Sequence, residues 1–232
     1  MKLRPRPYVS VNMAISLDGR IGTHKREHIT LGTRHDRLLM DKLRARNDAV
    51  IVGAGTVRHD GYPVIVRDKA TRERHGKSGS PHPLNVILSR ELNLPLNRPI
   101  FTNSDISRLI LTTRGASASR LKRFEKIAEV VVVPRKTIPA AVVLTELAKR
   151  GIKSVLLEGG GETHYEFARA GLIDELYVTI TPRLIGGKGA PSLLDGKGFL
   201  KADHIRLELM STRRIKDELF LRYKVRRNKV KR

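Results

Sequence analysis

The stretch LLEGGGETHYEF, residues 156–167, sets one carboxylate, Glu158, directly before three consecutive glycines, Gly159, Gly160 and Gly161. Glycine lets a ligand approach the main chain closely and admits positive φ. Where such a run opens a helix, the unpaired amide N–H groups and the positive end of the dipole suit a phosphate. A carboxylate in front of them would repel that phosphate, so Glu158 calls for a separate task. The plain alternative is a tight strand-to-helix turn with no ligand. A second glycine-bearing junction, Gly53-Ala54-Gly55-Thr56, follows another apolar run. Neither fits the common nucleotide templates. A dinucleotide fingerprint from Gly53 would need glycine where Arg58 stands, and a P-loop ending in Gly76, Lys77 and Ser78 would need glycine at Thr71.

Other side chains have both a chemical and a structural reading. Asp18 lies in Ser16-Leu17-Asp18-Gly19-Arg20, where an Asp-Gly turn is reason enough for it. Thr56 and Asp60 are spaced to form a capping pair. Arg44 and Arg67 are either surface charges or a clamp on a substrate phosphate. Among the eight histidines only His24 and His28 stand four apart, and no helix is expected there to bring them onto one face for a metal; cysteine is absent. No metal site, thiol nucleophile or disulfide framework is therefore expected.

These residues need elements to hold them. Residues 8–15 read as a strand ended by the turn at 16–19. Thr33 and Asp36 have the spacing of a capping box, and a helix to about Arg46 should follow, with Leu39 and Leu43 on one face. Residues 49–52 read as a buried strand. Residues 69–83, rich in polar residues, glycine and proline, are expected to be a loop. Strands are expected at 84–88, 109–113, 130–133 and 154–157. Helices are expected at 117–128, at 138–150 closed by Gly151, and at 162–170 closed by Gly171. Strands at 175–181, 205–211 and 219–225 finish the chain. Alternating strands and helices followed by strands alone predict a three-layer α/β fold, its sheet mostly parallel with an antiparallel end. Neither an internal repeat nor a linker is evident, so residues 1–232 read as one domain.

The chain has 232 residues, of which 40% are hydrophobic, enough for a sizeable core. Its apolar runs are too short to span a bilayer, and no apolar stretch of the signal-peptide kind follows the first residues. A soluble cytoplasmic protein is expected. The formal charge is +23, from 46 basic and 23 acidic residues. Such charge suits nucleic acid or small anionic ligands. Base-stacking platforms need aromatics, and the chain has five Phe, five Tyr and no Trp. Specific nucleic-acid binding is therefore not expected, only salt-sensitive adhesion.

Taken in order, seven stretches carry a resemblance. They are Arg6-Pro7-Tyr8; residues 16–20; Leu43-Arg44-Ala45; residues 52–57; residues 157–161; Ala170-Gly-Leu-Ile-Asp-Glu175; and Pro182-Arg-Leu-Ile-Gly-Gly187. With them the chain resembles the riboflavin-biosynthesis pyrimidine reductases, in the reductase domain related in fold to dihydrofolate reductase. The resemblance covers about residues 6–225 and leaves a basic tail at 226–232. It implies a stand-alone reductase rather than a fused bifunctional enzyme.

The resemblance also implies an activity: NADPH-dependent reduction of the ribosyl group of a ribosylamino-pyrimidine 5′-phosphate to ribityl, with hydride going to C1′ of the opened sugar. It implies a phosphorylated pyrimidine as substrate and a homodimer as the assembly. By position, Asn12, Arg44, Val64, Arg67 and Glu158 match substrate contacts, the arginines at the 5′-phosphate. Ala14, His28, Thr56, Asp60, Ser89, Gly159, Gly160, Gly161, Glu162 and Thr163 match cofactor contacts. Asp18 and Glu158 are the catalytic candidates, with water the alternative proton source. Glu158 is also read as an acceptor for the pyrimidine's amino and ring N–H groups. Arg90 and Arg114 are candidates for choosing NADPH over NADH. The chain departs from the family pattern at His59-Asp60-Gly61-Tyr62-Pro63, at His28 where tryptophan is frequent, and at Leu88 before Ser89. By analogy the resemblance leans toward 2,5-diamino-6-(5-phosphoribosylamino)pyrimidin-4(3H)-one as the substrate, with the deaminated pyrimidine as the alternative. Other readings are a true dihydrofolate reductase, an NADPH reductase of another carbonyl, and a reductase fold turned to binding nucleic acid.

Overall fold

The computed structural model describes residues 6–27, 29–75 and 80–226. Its elements are β1 (Tyr8–Ser16), α1 (Arg34–Arg46), β2 (Ala49–Gly53), α2 (Ala54–His59), α3 (Lys69–His75), β3 (Leu84–Leu88), α4 (Pro99–Thr102), β4 (Arg108–Thr113), α5 (Ala118–Phe124), β5 (Glu129–Val133), α6 (Ala140–Lys149), β6 (Ser154–Leu157), α7 (Gly161–Arg169), β7 (Glu175–Thr181), β8 (Leu207–Ile215) and β9 (Glu218–Val225). The strands form one nine-stranded sheet in the order β5-β4-β3-β2-β6-β1-β7-β9-β8. Every pairing from β5 to β7 is parallel, and β9 joins β7 and β8 antiparallel. The mostly parallel sheet with an antiparallel end agrees with the sequence expectation.

The central strands are short apolar runs because both their faces are covered. On one face Val9, Val11, Ile51, Leu109, Leu111, Val155 and Leu157 pack with Val143, Leu147 and Phe167 of α6 and α7. On the other, Val50, Val52, Ile87, Ile110 and Leu156 pack with Leu43, Val57, Ile100 and Phe124 of α1, α2, α4 and α5. The two cores thus sandwich the sheet and fix which face each strand residue serves.

Some expected boundaries shift. The stretch expected to be a loop from residue 69 begins with helix α3. Asp68 accepts from the Thr71 amide at 2.8 Å and the Thr71 hydroxyl at 2.6 Å, which starts that helix as a cap would. Residues 76–79, with the Gly-Lys-Ser triplet, lie outside the described residues. Helix α5 ends at Phe124 instead of reaching 128, and the Ile127 and Ala128 amides turn back onto the Phe124 carbonyl. Helices α2 and α4 and the second half of β8 were not expected. Thr33 does cap α1, accepting from the His35 amide at 3.2 Å. The capping box is not reciprocal, because Glu218 of β9 takes the Thr33 amide at 2.8 Å and its hydroxyl at 2.5 Å. This frees Asp36 to turn inward. No helix among the described residues is long and apolar enough to cross a membrane.

Candidate active site

The helices after β2 and β6 leave the sheet on opposite faces. Val57 of α2 belongs to one core and Phe167 of α7 to the other, although β2 and β6 are neighbours. This is a topological switch point, where a crevice opens at the carboxyl ends of the strands. Both glycine-bearing junctions of the sequence lie there.

The two junctions are packed into each other. The Gly53 amide donates to the Gly159 carbonyl at 2.9 Å. A Cβ on Gly53 would meet Thr163 Oγ1 at 2.4 Å, and one on Gly159 would meet Thr56 Oγ1 at 3.1 Å. Gly159 also has φ +130°, a conformation that L side chains rarely adopt. A Cβ on Gly161 would sit 2.4 Å from the Ser192 carbonyl oxygen. Gly160 caps α7 without a side-chain hydrogen bond. The first amides of α7 therefore point out of a bare backbone, with Glu162 in the same turn. These glycines and the helix-start amides, which no side chain caps, suit the phosphates of a nucleotide cofactor, although Gly161 itself is buried against the 192–195 segment.

Glu158 follows β6 and faces the other way. Arg44 Nε donates to Glu158 Oε1 at 2.7 Å and Nη2 to Oε2 at 2.5 Å. Each side chain is 8% exposed. Arg44 Nη1 also donates to the Ile65 carbonyl at 2.9 Å. The guanidinium expected to clamp a substrate phosphate is thus committed to Glu158 and to the 64–66 segment. Register extends the row across this face of the sheet: Val11 pairs with Leu157 and Asn12 with Tyr177. Asn12 therefore lies between Glu158 and Tyr177, with Ala14 one step further toward the crevice.

The remaining candidates scatter around this centre. Val64 is buried and exchanges hydrogen bonds with the Asn85 side chain at 2.9 Å. Arg67 is exposed. Asp60 closes α2, its amide donating to the Thr56 carbonyl at 2.8 Å. Ser89 is buried at the end of β3, two strands from β6. Beyond it lies a cavity of about 350 Å³ lined by Arg90, Arg114, Arg135 and Lys136 among others. His28 lies outside the described residues.

Asp18 is placed as a hydrogen-bond acceptor. It accepts from the Ser16 hydroxyl at 2.6 Å and from the Ile185 and Gly186 amides at 3.1 and 2.6 Å. These bonds hold its carboxyl down to about 2. At neutral pH it is an ionised acceptor that ties the 185–186 segment to the end of β1. His164 of α7 is wholly buried, and desolvation holds it down to about 4, so it stays neutral. Sequence reasoning read Asp36 only as a cap and passed over Asp41. Asp36, Asp41 and Arg44 all face inward from that helix. Their signal was charge at the helical spacing of a core stripe, which is unusual for a packed helix.

The chain matches the family model described as the RibD C-terminal domain over residues 7–221. It is 34% identical over 197 residues to the 2,5-diamino-6-ribosylamino-4(3H)-pyrimidinone 5′-phosphate reductase of Archaeoglobus fulgidus, covering 84% of this chain and 90% of that protein. It is 32% identical over 210 residues to the reductase of the same name from Aquifex aeolicus, covering 87% of this chain and 90% of that one. Among solved structures, a pyrimidine reductase-like protein from Corynebacterium diphtheriae superposes with TM-score 0.82 at 26% identity, over 96% of this chain and 93% of that one. A match to the family model across nearly the whole fold, with the glycine loops and Glu158 at the switch point, makes this chain a member of the RibD C-terminal domain family.

Proposed function

We propose that this chain is an NADPH-dependent oxidoreductase of riboflavin biosynthesis. It reduces the ribosyl group of 2,5-diamino-6-(5-phosphoribosylamino)pyrimidin-4(3H)-one to ribityl. The observation that carries this reading is the buried Glu158 carboxylate, fixed by Arg44, beside bare helix-start amides at the switch point. The names of the relatives support the same reaction.

A nicotinamide cofactor supplies hydride to C1′ of the sugar. The α7 amides from Gly161 onward receive its phosphates, and Thr56 and Thr163 line the packed glycine junction. Arg90 and Arg114 offer cations for the extra phosphate that separates NADPH from NADH. Glu158 accepts from the pyrimidine's amino and ring N–H groups, and Arg44 fixes its direction. The exposed Arg67 is left to meet the substrate's 5′-phosphate. The assembly is a homodimer formed through the β8 edge, where Leu209 is 53% and Met210 48% exposed on a strand that has no outer neighbour among the described residues.

Loss of nicotinamide absorbance on adding the diamino substrate tests the reading. Oxidation is expected with that substrate and at least tenfold less with its deaminated counterpart. Turnover of the deaminated compound alone would reassign the substrate, and turnover of neither would end the proposal.

A further inference from the structure

Reducing a ring-opened ribosylamine requires more than hydride. A C=N bond must also receive a proton at nitrogen, and the residues placed so far do not supply one. Asp18 is held as an anion by its three donors. Both oxygens of Glu158 are already occupied as acceptors by Arg44.

A second carboxyl lies under the same helix. Asp36, in the first turn of α1, is 8% exposed, and its Oδ1 has no hydrogen-bond partner. Two other buried polar atoms on this face lack a partner: Asn12 Oδ1, in a residue 6% exposed, and Thr179 Oγ1, in a residue 0% exposed. Asn12 and Thr179 stand on adjoining strands, since Asn12 pairs with Tyr177 and Ala14 with Thr179. An orphaned buried polar atom costs about 1–3 kcal/mol. The Asp36 carboxyl and the Thr179 hydroxyl are close enough to influence each other, and with Asn12 on the adjoining strand they leave polar atoms for something that is not protein. The loop also makes room for the acid, because a Cβ on Gly32 would sit 2.1 Å from Asp36 Oδ2.

We propose that Asp36 is the proton donor of the reduction, delivering its carboxyl proton to the substrate nitrogen while Asn12 and Thr179 hold the sugar's hydroxyl groups. This rests on the reductase reading above. Hydride adds to C1′ and the C=N π bond breaks. The electron pair moves to nitrogen, which takes the proton from Asp36. The dihydronicotinamide is oxidised, and the Asp36 carboxylate regains a proton from water.

The surroundings favour a proton on Asp36. Burial raises it above the ordinary carboxylate range, and Glu218 of β9 and Glu158 after β6 push in the same direction. The Thr179 hydroxyl and, more weakly, Arg37 on its own helix oppose them, and Arg44 is engaged by Glu158. Two carboxyls in one site are thereby given different tasks, Glu158 as the acceptor tied to Arg44 and Asp36 as the donor.

Asp36→Asn keeps the shape and hydrogen-bonding capacity but cannot release a proton. Single-turnover hydride transfer should fall about 100-fold or more, with substrate affinity changing far less. The wild-type rate should fall as pH rises through the Asp36 value, and the variant should lack that limb. Thermal unfolding of the ligand-free protein gives a readout independent of activity. A raised folded-state value means stability is fully present below about pH 4 and lost as pH rises. The melting-point advantage of Asp36→Asn over wild type should therefore grow from pH 4 upward and then level off. An unchanged hydride-transfer rate, or parallel melting curves, overturns this inference alone. A wild-type protein that oxidises no NADPH overturns the reductase reading, and this inference with it.

Discussion

Arg44 in α1 and Glu158 after β6 are joined by two hydrogen bonds of 2.7 and 2.5 Å across 114 positions of sequence. The pair removes the conflict between Glu158 and the glycines that follow it. Its net charge is near zero, so it does not repel an anion at the α7 amides. The buried charges hold each other in a fixed fork that lysine could not reproduce.

Breaking this pair should damage stability and turnover by separable amounts. Arg44→Met leaves a buried, unpaired carboxylate and should cost about 3–5 kcal/mol in denaturant unfolding. Arg44→Met combined with Glu158→Leu should recover most of that loss and remain inactive. Glu158→Gln should lower turnover roughly 10- to 100-fold, the value of a hydrogen bond to a charged group, and leave cofactor affinity intact. A collapse of cofactor binding in Glu158→Gln would move the glutamate to the other ligand.

Gly161→Ala tests the cradle. Its Cβ would meet the Ser192 carbonyl oxygen at 2.4 Å, a backbone atom with little room to yield. Overpacking of this kind costs about 1–3 kcal/mol. Calorimetry should show weaker cofactor binding together with a lower melting point. Normal cofactor affinity would place the phosphates elsewhere.

The basic cavity beyond Ser89 should set the choice between the two nicotinamide dinucleotides. Removing the guanidinium by Arg114→Ala should weaken NADPH roughly 10- to 100-fold, and NADH should be unaffected. Equal losses for both would show that Arg114 does not meet the distinguishing phosphate.

His164 should make the fold sensitive to acid. Its value falls from 6.5 to about 4 on folding. The unfolded chain therefore binds the extra proton between those values, and stability is lost as pH drops from 6.5 toward 4. The full effect is roughly 3 kcal/mol. His164→Gln should flatten that part of the stability curve, whatever its effect at pH 7. An acid limb as steep as the wild type's would mean that other groups cause it.

The sequence by itself determined the alternation of strands and helices, the antiparallel end and the two glycine junctions. Each of these is written in local spacing: buried runs of four to six residues, caps, and glycine where the backbone must stay bare. It also singled out Glu158 by its neighbours. The tertiary structure decided what those residues touch. That Arg44 holds Glu158, that Glu218 takes the Thr33 amide and leaves Asp36 to turn inward, and that Asn12 stands in line with Glu158 all depend on the strand order β2-β6-β1-β7-β9. Local periodicity tells which face a residue occupies. Which distant side chain shares that face is settled only when the sheet assembles, because pairing energies act across space and not along the chain.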